Sequence, residues 1–177
     1  AITPAQNENI PLHIVDENGN GTRIYSHVSL EHMGAKVIAS VPSHRILTVH
    51  FKQNECGLME RVSNEFKKAG LDIASIADEG HAVSIAFSGN GEVGKVLEGL
   101  RSDKYCLENN FTRISLIGEG MRHQIGVLAK LAKCYADKGI SVEMISQSKN
   151  QLNISTFIED RYERMAVRKI YDDFFRD

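Results

Sequence analysis

Apolar and polar residues alternate in short runs along most of this chain, and twice that alternation gives way to a helical spacing in the same manner. Ile46-Leu47-Thr48-Val49-His50-Phe51 reads as a half-buried strand, and Leu58, Val62 and Phe66 then recur at i, i+4, the period of an amphipathic helix. This pattern stops at Ala69-Gly70-Leu71, and a second alternation follows at Val83-Ser84-Ile85-Ala86-Phe87. Ile114-Ser115-Leu116-Ile117, a helical pattern opening at Gly126-Val127 and stopping at Lys138-Gly139-Ile140, and Leu152-Asn153-Ile154-Ser155-Thr156-Phe157 repeat the same order. The repeat Gly57–Ile76 and Gly126–Ile145 is therefore a strand, helix, strand, strand unit written twice. Gly70 and Gly139 read as helix C-caps.

Past the first copy, Val93, Val96, Leu97 and Leu100 predict another helix, and Asp103-Lys104-Tyr105-Cys106-Leu107-Glu108 another strand. Copy one is then βαββαβ, a ferredoxin-like order complete in itself. In copy two the helix carrying Ala166, Val167, Ile170, Tyr171 and Phe174 runs almost to Asp177, so that copy lacks one strand. An unfilled sheet edge is a liability, and Lys36-Val37-Ile38-Ala39-Ser40-Val41 is the spare apolar segment that can fill it. The expected fold is α+β: two ferredoxin-like modules, the first (42–109) inserted within the second (35–41 plus 110–177). Before them, Ile10 to Val15 and Thr22 to Tyr25 flank a cluster of turn formers and read as two strands with no core of their own, the tail (1–30) of a domain whose body lies upstream.

Composition narrows the partners. A net charge of −2 with mixed signs argues against nucleic acid. No apolar run reaches membrane-spanning length, and no basic-then-apolar leader is present. Three cysteines without CxxC spacing fit a reducing cytoplasm. The seven histidines have no metal-ligand spacing, although His27 and His32 lie near each other.

Gly118-Glu119-Gly120-Met121-Arg122, Gly126-Val127-Leu128-Ala129-Lys130 and Gly139 to Ser146 resemble the second regulatory ACT module of aspartate kinases. Ala1-Ile2-Thr3-Pro4-Ala5, Asn9 to Ile14 and Gly21-Thr22 resemble the end of that family's kinase domain. The resemblance implies the interleaved modules, an amino-acid effector such as lysine or threonine, pairing of modules across a twofold axis, and feedback control of a kinase domain in cis or in a separate subunit. The Lys-Phe-Gly-Gly-Ser/Thr run of that kinase domain does not occur here, so ATP and Mg are expected upstream only. This fragment should not phosphorylate aspartate by itself, and no catalytic residue or cofactor is assigned to it.

A free amino acid presents a carboxylate, an ammonium group and a side chain. The strand-to-helix turns, Asn54, Glu55, Gly57 and Leu58 in copy one and Met121, Gln124, Ile125, Gly126 and Val127 in copy two, would expose helix N-terminal N–H groups to the carboxylate. Glycine there permits close backbone approach. The ammonium group would fall to the following strand: Asp72, Ile73 and Ala74 in copy one, Ser141, Val142 and Glu143 in copy two. The resemblance implies an acidic residue where this chain has Ala74, and Asp78 or Glu79 could substitute. Lysine, threonine or no ligand all stay open.

Plainer readings compete. The glycines serve helix ends, Asp72 and Ser141 are solvated strand entrances, and Met121 and Met144 fill the core. Cys56 as a nucleophile lacks a positioned base. The alternative function is a dimerising interaction module whose effector site has degenerated.

Overall fold

The computed structural model describes residues 2–24, 34–51, 57–102, 104–150 and 152–176. A short helix α1 (Thr3–Asn7) precedes an antiparallel hairpin of β1 (Leu12–Val15) and β2 (Gly21–Ile24). The hairpin matches the two expected strands, with Tyr25 outside the described residues; α1 was not anticipated. The rest is one mixed body: β3 (Val37–His50), α2 (Leu58–Lys68), β4 (Asp72–Asp78), β5 (Ala82–Ser88), α3 (Val93–Leu100), β6 (Tyr105–Ile117), α4 (Val127–Ala136), β7 (Met144–Gln147), β8 (Asn153–Glu159) and α5 (Glu163–Phe175). Single 3₁₀ turns occupy Glu119–His123 and Asp160–Tyr162.

The strands form a six-stranded sheet in the order β4-β5-β3-β6-β8-β7, every neighbouring pair antiparallel. Within it lie two overlapping ferredoxin-like sets, β4-β5-β3-β6 and β3-β6-β8-β7. Val37 to Val41 pairs with Ile117 to Arg113, so the segment before copy one is the outer strand of copy two, as its edge demanded. The first module is thus inserted within the second.

One feature differs from the sequence reading. Segments 37–41 and 46–50 are one continuous strand, β3, and 105–108 and 114–117 are likewise one strand, β6. Between Val41 and His44 the extra residue is in β3; between His44 and Ile46 it is in β6. Each strand therefore carries one bulge, at Ser43 (φ 65°) and Asn110 (φ 68°), and the second restores the register that the first disturbs. Pro42 fits beside the first bulge because it has no N–H to contribute to a ladder. Turn-forming residues inside an apolar alternation mark paired bulges here, not a chain reversal.

Two cores sit on the helical side. Leu47, Val49, Val83, Ile85 and Phe87 meet Val62, Phe66, Val96 and Leu100 of α2 and α3; Ile114, Leu116, Ile154 and Ile158 meet Leu131, Tyr135, Ala166 and Ile170 of α4 and α5. Ile46, Ala86, Phe111, Met144 and Phe157, with Ala74, form a third cluster. No helix contributes to it, yet Ala86 and Phe157 are 0% exposed, and the His44 ring packs edge-on against Phe157 with centroids 5.5 Å apart. The central stretches of the sheet are buried on both faces.

Candidate functional site

Both repeat helices start in the same way. Gly57 (φ 81°) and Gly126 (φ 87°) occupy the N-cap, and neither helix has a side-chain cap. The first helical bonds run from Arg61 N–H to the Gly57 carbonyl (3.0 Å) and from Lys130 N–H to the Gly126 carbonyl (2.9 Å). In α4 the N–H groups of Val127, Leu128 and Ala129 precede that bond and have no helical partner, an arrangement that attracts an anion. A Cβ on Gly57 or Gly126 would meet nothing within 4 Å, so it is the positive φ, and not lack of space, that requires glycine at both positions.

The α4 N-terminus opens on a cleft of ≈ 410 Å³ whose walls include Met121, Gln124, Ile125, Gly126, Val127 and Gln147. Five of the expected site residues are therefore brought together. Met121 is 2% exposed and belongs to the core, in line with its plainer reading, whereas Ile125 is 101% exposed. The remaining walls add Arg122 and His123 and no carboxylate. This cleft can take the acid end of a ligand and offers nothing anionic to an ammonium group.

Ser141, Val142 and Glu143 do not line that cleft. They follow the C-terminus of α4, about 15 Å from Gly126 at 1.5 Å per residue over ten residues. Val142 instead joins Leu128, Leu131, Ala132, Tyr135 and Ile145 around a smaller apolar hollow of ≈ 160 Å³. Below it the Tyr135 hydroxyl bonds Thr156 Oγ1, which donates to the Ile114 carbonyl (3.1 Å). Burial raises the Tyr135 phenol to about 12, so it stays protonated.

The first copy divides in the same sense. Asn54 and Glu55, with Cys56, lie outside the described residues. Leu58 is buried in the first core, with Ile73 packed against it. Asp72 and Ile73 line a groove at the far end of α2 with Ser63, Lys67 and Gly70. Asp78 ends β4 about 20 Å away, at some 3.3 Å per residue. Asp78 and Glu79 stand at the turn from β4 to β5, which meets the end of β3 where Phe51 N–H donates to the His81 carbonyl (2.8 Å). Asp78 Oδ1 accepts from Gly80 N–H (2.7 Å), and Glu79 Oε1 from Ser84 Oγ (3.4 Å). Ala74 is the extra residue of a bulge in β4 and packs on the helix-free cluster.

The helix C-termini explain the other glycine pair. Gly70 N–H bonds Lys67 O and Leu71 N–H bonds Phe66 O; Gly139 and Ile140 make the equivalent bonds to Ala136 and Tyr135. With φ of 67° and 63°, Gly70 and Gly139 close Schellman motifs. Among the described residues no group of three or more His, Cys, Asp or Glu could hold a metal ion, and no helix is long and apolar enough to cross a membrane.

A second cleft, ≈ 370 Å³, escaped the sequence reading. It lies where the two modules join, between Ser43, His44, Arg45 and Asn109, Asn110, Asp160. The available signal was the pair of turn-forming dipeptides, Pro42-Ser43 and Asn109-Asn110, inside alternating strands.

Residues 114–174 match the ACT domain family. Aspartokinase 3 of Bacillus subtilis is 24% identical over 192 residues, covering 99% of this chain and 41% of that protein. Among solved structures, the aspartate kinase of Clostridium acetobutylicum superposes with a TM-score of 0.83 at 19% identity, covering 97% of this chain and 42% of that one. E. coli aspartokinase III, solved in complex with lysine and aspartate, superposes with a TM-score of 0.75 at 16% identity, covering 98% and 41%. The chain thus spans about two-fifths of the length of these proteins. Over nearly its whole length the chain is thus similar in sequence and fold to aspartokinases, and its residues 114–174 match the ACT domain.

Proposed function

We propose that this chain senses an end-product amino acid, lysine and/or threonine, and relays its binding to an aspartate kinase domain as feedback inhibition. The observation that carries this reading is the α4 N-terminus, glycine-capped, without a side-chain cap, and opening on a cleft of ≈ 410 Å³. The ligand carboxylate meets the free N–H groups of Val127 and Leu128. Because the cleft has no acidic wall, the ammonium group is met from outside the module, by a Glu143 or an Asp78–Glu79 pair of another module. A twofold dimer supplies this and also covers the bare Ile125 side chain. The lysine complex of E. coli aspartokinase III supports the choice of ligand.

In this reading residues 1–30 close the kinase domain, 42–109 form the first module and 35–41 with 110–177 the second. The kinase domain, in cis or as a separate cytoplasmic subunit, holds ATP and Mg. The alternative, a dimerising module without effector, is favoured by Ala74, where a hydrophobic contact replaces the acidic residue that the resemblance implies. Calorimetry with lysine and with threonine, run beside sedimentation, separates the two. Heat abolished by Gly126→Val supports sensing. A dimer that gives no heat with either amino acid overturns it.

A further inference from the structure

The junction cleft combines features that a surface groove rarely has. Of four described non-glycine residues with positive φ, two, Ser43 and Asn110, line it. Such conformations cost about 1–3 kcal/mol each and gather where a site requires them. His44 also lines it while only 2% exposed. Its Nδ1 lies 3.0 Å from the Val41 carbonyl, which can only accept, so Nδ1 carries the proton. Nε2 is then the lone-pair acceptor of the ring. Burial, with Arg113 nearby, lowers the His44 pKa and keeps the ring neutral.

The charges in the cleft are held apart. Arg45 donates to the Gly89 carbonyl (2.8 Å) and stacks over Phe87 at 4.7 Å. Asp160 accepts from Thr112 Oγ1 (2.6 Å) through Oδ1, leaving Oδ2 available. The two form no ion pair with each other. A guanidinium and a carboxylate, each pinned by other groups and sharing a cleft with a buried acceptor, complement one ligand class.

The geometry points to the junction cleft as a binding site for a small zwitterionic α-amino acid, its carboxylate on Arg45 and its ammonium group on Asp160. The site is separate from the helix N-terminal turns. It draws Arg45 and Gly89 from the first module and Asp160 from the second, so its ligand ties the modules together.

The test is ¹⁵N NMR titration of the whole chain with L-alanine, L-threonine and L-lysine at millimolar concentrations. At least one is expected to shift the amides of Gly89, Asn90 and Asn110. Arg45→Gln and Asp160→Asn should each raise the midpoint about ten- to hundredfold, the effect of one lost charge-assisted hydrogen bond. Acetate and glycinamide, each lacking one of the two charges, should bind the wild-type chain at least about tenfold more weakly than the amino acid, a comparison that does not depend on a variant folding. Unmoved junction amides, equal midpoints for the half-ligands, or unchanged midpoints in both folded variants would overturn the assignment. Shifts at Val127 and Leu128 report separately on the helix-turn site, so either site can fail without the other.

Discussion

Replacing Leu131 with alanine should weaken both modules, not only the one that contains it. Leu131 is 1% exposed in the α4–α5 core, and Leu→Ala changes at such positions cost about 2.7–5 kcal/mol. The hollow of ≈ 160 Å³ beside it lets neighbours relax, which places the cost near the low end, about 3 kcal/mol. Because β3 and β6 each run through both halves of the sheet, neither half can unravel without removing two strands from the other. The slowest-exchanging amides of α2, around Val62 and Phe66, should therefore lose about a hundredfold in hydrogen-exchange protection, together with those of α4. The measurement is native-state exchange on wild type and Leu131→Ala. Wild-type protection in α2 alongside a collapse in α4 would mean that the modules open independently, and the shared-strand reasoning would be refuted.

Two further outcomes follow from local geometry. The His44 pKa is held below its ordinary 6.5, by burial first and Arg113 second, so the unfolded chain takes up that proton more readily. The stabilisation is complete above about pH 6.5 and is lost as pH falls below it; urea unfolding should show a shallower acid-side decline in His44→Gln, and equal slopes would contradict this. Gly118→Ala should be far more damaging than Gly139→Ala. The former would put a Cβ 2.3 Å from the Gly34 carbonyl oxygen, whereas the latter meets open space and carries only the left-handed penalty of about 1–2 kcal/mol. A smaller drop in melting temperature for Gly118→Ala than for Gly139→Ala would reverse that ranking.

Most of the architecture was legible because it rests on local necessity. Gly70 and Gly139 declare helix ends, since only a residue at ease with positive φ completes a Schellman motif. The strand Val37–Val41 was legible because it is the apolar segment that can satisfy the empty edge of the second module. The continuity of β3 and β6 was not legible, because Pro42-Ser43 and Asn109-Asn110 carry the same residue types as chain reversals. The sequence reading joined each helix N-terminal turn to the start of the strand that follows the helix, and in copy two the structure puts the length of α4 between Gly126 and Glu143. The junction cleft depends on bulge geometry and on the burial of His44, neither of which a periodicity expresses.

The paired irregularities at Ser43 and Asn110 have an evolutionary consequence. Each surplus residue lies between rungs, so deleting either one leaves the pairs on both sides of it aligned, Val37 to Val41 with Ile117 to Arg113 and Ile46 to Val49 with Glu108 to Tyr105. What such a deletion removes is the local twist where the two halves of the sheet meet. Descendants of this chain should therefore tolerate the loss of Ser43 or Asn110 more readily than the loss of any neighbouring rung residue, which would slip the ladder by one step.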